Sequence, residues 1–76
     1  MKELVAHIAR SLVDQPDQVQ VNQTENDDTV AIELTVAQED LGKVIGKQGR
    51  TARAMRSLLS AAAAREDKKS RLDILE

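Results

Sequence analysis

Gly46-Lys47-Gln48-Gly49 is the segment of this 76-residue chain whose residue types and spacing most suggest a ligand. Two glycines frame a polar tip, and cations surround it. Lys43, Lys47, Arg50, Arg53, Arg56 and Arg65 fall between Leu41 and Arg65; these are six of the chain's 11 basic residues, and none of its 13 acidic residues lies there. The window carries +6, while the remaining five basic and 13 acidic residues carry −8, giving the net charge of −2. A local positive patch around a glycine-framed turn is the electrostatic footprint of phosphate binding. Gly46 is expected to end a short helix in the left-handed conformation. Gly49 is expected to open the next helix, whose first N–H groups lack internal acceptors and attract anions. Lys47 would project from the tip. Arg50 and Arg53, three residues apart, would share one helix face beside it, and Arg56 would continue the row. Gly46, Lys47, Gln48, Gly49, Arg50 and Arg53, with Lys43 and Arg56, are the candidate phosphate-binding residues.

Other chemistry finds little support. His7 is the only histidine and there is no cysteine, so thiolate ligands and disulfides are excluded. Asp27-Asp28 and Glu39-Asp40 are adjacent pairs suited to turn hydrogen bonding or a helix dipole. No catalytic residue, metal site or cofactor is expected. Gly42-Lys43-Val44-Ile45-Gly46-Lys47-Gln48 echoes a nucleotide-binding P-loop. Its glycines are too close, and Gln48 stands where a magnesium-binding hydroxyl is required. Phe, Tyr and Trp are absent. Base stacking on aromatic platforms is therefore unavailable, and a nucleic-acid reader here must use backbone, aliphatic surface and cations. The longest apolar run is Ala61 to Ala64, so no membrane contact is expected and a cytoplasmic location is.

These residues need a frame. Leu4, Val5, Ile8, Ala9 and Leu12 recur at helical spacing and predict a helix over 2–13, stopped by Asp14-Gln15-Pro16-Asp17. Val19 and Val21 alternate with glutamines as a first strand. Glu25-Asn26-Asp27-Asp28 reads as a turn, and Val30, Ile32, Leu34 and Val36 mark a second strand, antiparallel to the first. Leu41, Val44 and Ile45 predict a short helix from about 38. A longer helix over 50–65 would bury Ala52, Met55, Leu58, Leu59 and Ala62. Leu72 and Ile74 mark a last strand. Each strand has one polar face, read on the wet side at Gln18, Gln20, Glu33 and Asp73, so the helices must cover the other. The expectation is one α+β domain over 1–76, in two layers and in the order α-β-β-α-α-β, with three helices on one face of a three-stranded sheet. At this length the core is thin.

Val44-Ile45-Gly46-Lys47-Gln48-Gly49-Arg50 resembles the core motif of KH domains, whose G-x-x-G loop clamps the backbone of about four nucleotides. The element order is similar to the type II variant, and the whole length resembles the small single-KH RNA-binding proteins of bacteria, the KhpA type. The resemblance implies single-stranded RNA binding through the GxxG loop, in an RNA chaperone or post-transcriptional regulator. Bases would lie in an aliphatic groove between the motif helices and the adjacent strand. It also implies a homodimer, or a heterodimer with a larger KH-containing RNA-binding partner. The alternative is a protein-protein interaction module, a dimerisation scaffold with incidental nucleic-acid affinity.

Overall fold

The computed structural model describes residues 1–75. Helix α1 spans Lys2–Leu12, strands β1 and β2 span Gln20–Asn26 and Thr29–Thr35, helices α2 and α3 span Leu41–Ile45 and Arg50–Ala64, and β3 spans Lys69–Leu75. Single 3-10 turns occupy Pro16–Gln18, Gln38–Asp40 and Lys47–Gly49. The architecture is the expected α+β arrangement in the order α-β-β-α-α-β.

The sheet order is β1-β2-β3. β1 and β2 are antiparallel from Gln20↔Thr35 to Asn26↔Thr29, and β2 and β3 are parallel from Thr29↔Lys69 to Thr35↔Leu75. Parallel neighbours need a crossover. Here α2 and α3 supply it, and the glycine-framed loop is the break between them. On β2, Val30, Ile32 and Leu34 are buried while Glu33 is exposed, so one face is packed and the other wet. Val5 and Ala9 from α1, Val44 from α2, Met55 and Leu59 from α3 and Leu72 from β3 close over that packed face.

Several sequence expectations shift. Strand pairing continues through Glu25 and Asn26, so the turn is only Asp27-Asp28. Asp27 takes φ 49°, a left-handed conformation that aspartate tolerates better than most residues. Gln18 belongs to the first 3-10 turn, not to the wet sheet face. Helix α3 buries Ala52, Met55, Leu59 and Ala63. Leu58 is 52% exposed and Ala62 only half-buried, because the residues facing the sheet follow i, i+3, i+7, i+11 and leave Leu58 on the flank. On α1, Val5 and Ala9 are buried, whereas Leu4 and Leu12 are each 38% exposed.

Asp40 is the buried charge of the core, at 1% exposure. It is not the local helix-start group that its position beside Glu39 suggests. Its carboxylate accepts the backbone N–H groups of Asp14 at 3.3 Å and Gln15 at 3.0 Å. It thereby satisfies the chain just beyond α1 and ties it to the start of α2.

Candidate nucleic-acid interface

Helix α2 ends at Ile45 because Gly46 leaves helical space, at φ 78° and ψ 170°. This is a mirror-extended conformation open essentially to glycine alone, and not the left-handed helical cap expected from sequence. A β-carbon on Gly46 would also lie 2.7 Å from Thr51 Cβ and 2.9 Å from Thr51 N, and would overlap Thr51 Oγ1. Gly46 is therefore fixed twice, by its torsion and by the first turn of α3 beneath it. Gly49 caps α3 in the left-handed region, at φ 73° and ψ 14°, with open space where a β-carbon would stand. Its requirement is conformational only.

Between them Gln48 is left-handed as well, at φ 58° and ψ 26°. Lys47 and Gln48 are exposed at the tip. The loop closes through Gly49 N–H donating to Gly46 O at 3.1 Å and Arg50 N–H donating to Lys47 O.

The cations around the loop differ in availability. Arg50 and Arg53 both turn back on Gln48: Arg50 Nη2 donates to Gln48 Oε1 at 3.1 Å, and Arg53 Nη2 donates to Gln48 O at 2.6 Å. Arg56 leaves the row. Its Nε donates to Leu72 O on β3 at 3.4 Å. Lys43 faces the acidic remainder, paired with Asp14 and 3.6 Å from Asp40. Its hydrogen bond to Asp14 holds its pKa above the ordinary lysine value. Lys47 is the candidate cation exposed at the tip whose ammonium makes no ion pair or hydrogen bond among the described residues.

A cleft of about 330 Å³ lies between α3 and β3, lined by Arg56, Leu59, Ser60, Ser70, Arg71 and Leu72. Leu59 and Leu72 form an aliphatic floor; the serines and arginines form a polar rim. Ser70 and Arg71 carry no signal in the sequence, since only the folded crossover brings β3 beside α3. Thr51, beneath Gly46, likewise carries no signal in the sequence. A larger cleft of about 470 Å³ lies elsewhere, between α1 and β1. Lys2 and Arg10 share it with Glu3, and nothing from the glycine loop lines it. The α3–β3 cleft is the smaller of the two, but it shares helix α3 and its arginine row with the loop. Among the described residues, no three His, Asp or Glu side chains converge as a metal site, and no helix is long and apolar enough to cross a membrane.

The family model described as KhpA/KhpB, KH domain, matches residues 2–74. The chain belongs to this family. The KhpA/KhpB match spans α1 to β3 and so includes the loop, the crossover and the cleft. The chain is 53% identical over 76 residues to the RNA-binding protein KhpA of Halalkalibacterium halodurans, covering 100% of both chains. It is 52% identical over 75 residues to that of Clostridium perfringens, covering 99% of this chain and 100% of the relative. It is 46% identical over 76 residues to that of Chlamydia trachomatis, covering 100% of this chain and 97% of the relative.

Proposed function

We propose that this protein binds single-stranded RNA, gripping the sugar–phosphate backbone at Gly46, Lys47, Gln48 and Gly49. The observation that carries this reading is the loop itself. Lys47 and Gln48 form an exposed tip between two glycines held at positive φ, with Arg50 and Arg53 beside it and open space at Gly49 where a backbone can approach. The relatives' name, RNA-binding protein KhpA, supports the same polymer. Arg50, Arg53 and Arg56 extend the positive surface along α3 towards the cleft. Bases of about four nucleotides would lie over Leu59 and Leu72, which suits a chain without aromatic stacking platforms. Lys43 contributes at the margin, where its charge is already offset by Asp14 and Asp40.

Replacing Lys47 and Gln48 together with aspartate tests the site. Exposed loop changes usually move stability by no more than about 0.5 kcal/mol. RNA affinity should collapse while the thermal midpoint barely moves. A double variant that binds as wild type does would place the RNA elsewhere.

A grip this short is weak alone, and a second module on the same RNA would raise avidity by ~10² or more. We infer that the protein acts as a homodimer or pairs with a larger KH-containing partner, in an RNA-chaperone or regulatory role. Leu58, Leu4 and Leu12, exposed on the helices away from the wet sheet face, offer the apolar surface. Sedimentation equilibrium of wild type and Leu58→Asp reads this directly. A strict monomer whose affinity is flat with RNA length removes the dimer and leaves the loop reading standing.

A further inference from the structure

We propose that Arg53 is a positioning residue of the RNA site. Its guanidinium holds the Gln48–Gly49 peptide so that the loop does not turn the Gln48 carbonyl towards a phosphate. The proposal rests on the loop being the RNA site.

The left-handed conformation of Gln48 is disfavoured for a residue with a β-carbon, so something must hold it. The peptide that follows is held at both ends. Its N–H, on Gly49, donates to Gly46 O at 3.1 Å, and its C=O, on Gln48, accepts Arg53 Nη2 at 2.6 Å. Gln48 precedes the cap residue of α3, so its carbonyl lies outside the regular α-helical bonding pattern. Left free, the carbonyl would stand as a partial negative charge at the exposed tip beside Lys47. An approaching phosphate would meet repulsion next to attraction. With Arg53 in place the carbonyl is occupied, and the Lys47 ammonium remains the loop's outward charge. Arg50, on the Gln48 side-chain oxygen at 3.1 Å, braces the same residue from the other side. The spacing of Arg53 from the loop suggested a phosphate ligand; the geometry instead directs its donor into the protein backbone.

The two roles separate experimentally because a phosphate contact needs charge, whereas this strut needs a planar fork of the right reach. Arg53→Lys keeps the charge and loses the fork. Affinity for a short single-stranded RNA should fall about tenfold in both Arg53→Lys and Arg53→Gln. In Arg53→Lys the dependence of log affinity on log salt should keep its wild-type slope. A readout without RNA is the carbonyl carbon-13 shift of Gln48 in the free protein. It should move in both Arg53 variants and stay put in Lys47→Gln. If Arg53→Lys binds as wild type does while Arg53→Gln flattens the slope by about 0.7, Arg53 is a phosphate ligand and the proposal falls. An unmoved Gln48 carbonyl in both Arg53 variants also overturns it. A wild-type protein without RNA affinity, but with the carbonyl shift moving as expected, overturns the RNA reading of the loop and reduces Arg53 to a structural brace.

Discussion

Lys43 and Lys47 stand four residues apart in the same acid-free stretch of sequence, and the fold treats them differently. Lys43 lies against two carboxylates just outside that stretch, Asp14 from beyond α1 and Asp40 one turn before Lys43. Asp40 in turn holds the backbone that leaves α1. That corner of the molecule spends its charge on its own connections. Lys47 stands at the tip of a loop whose remaining polar groups are either tied inward or left pointing out. A count of +6 across the window therefore overstates what a ligand meets. The lesson is that the charge available for binding is the charge that the rest of the fold leaves unpaired.

The sharpest way to break this contrast is Gly46→Ala. The mirror-extended torsion costs a residue with a β-carbon ~1–3 kcal/mol, and the overlap with Thr51 adds to it. Stability should fall by about 3 kcal/mol in chemical denaturation, and the fraction that stays folded should lose at least tenfold in RNA affinity. A folded Gly46→Ala protein with wild-type affinity would mean that the loop is not the binding region.

Asp40→Ala probes the other corner. It leaves the N–H groups of Asp14 and Gln15 without their acceptor and frees Lys43 from a carboxylate. The expected loss is about 2–3 kcal/mol, with RNA affinity per folded molecule unchanged. Reduced affinity in the folded fraction would show that the two corners are coupled.

Gly49→Ala separates the two glycines of the motif. With open space around its would-be β-carbon, only the left-handed torsion opposes the substitution, at about 1 kcal/mol. The destabilisation should be clearly smaller than at Gly46. Equal losses would mean that the Thr51 contact is not what distinguishes them.

The smallest effect concerns pH and a third corner, where Lys68 reaches Glu25 at 2.8 Å. The hydrogen bond from Lys68 lowers the Glu25 pKa, and the same bond raises that of Lys68. Glu25 favours the folded state above the ordinary carboxylate value of about 4.3, and this is lost as pH falls through its lowered folded value. Lys68 and Lys43 favour it below about 10.4, and this is lost as pH rises through their raised folded values. Thermal midpoints should therefore be nearly flat across neutral pH and fall at both ends. Glu25→Gln should weaken the acid-side decline. An unchanged acid limb would assign that decline to other carboxylates.

Much of this protein was legible in the residues alone. The alternation of Val30, Ile32 and Leu34 and the helical spacing of Val5 with Ala9 and of Met55 with Leu59 fix elements, order and wet face, because burial follows local periodicity. Gly46 and Gly49 mark the loop, because only glycine reaches some torsions cheaply, and the acid-free window marks its sign. Tertiary structure decided the rest. Asp40 holds backbone N–H groups more than twenty residues away, Thr51 sits under Gly46, and β3 brings Ser70, Arg71 and Leu72 beside α3. The arginines of α3 share a spacing but not a fate: Arg53 turns to a loop carbonyl and Arg56 to a strand carbonyl. Spacing along a helix states where a side chain begins. Which unpaired donor or acceptor it meets depends on backbone brought there from elsewhere in the chain, and no local pattern carries that information.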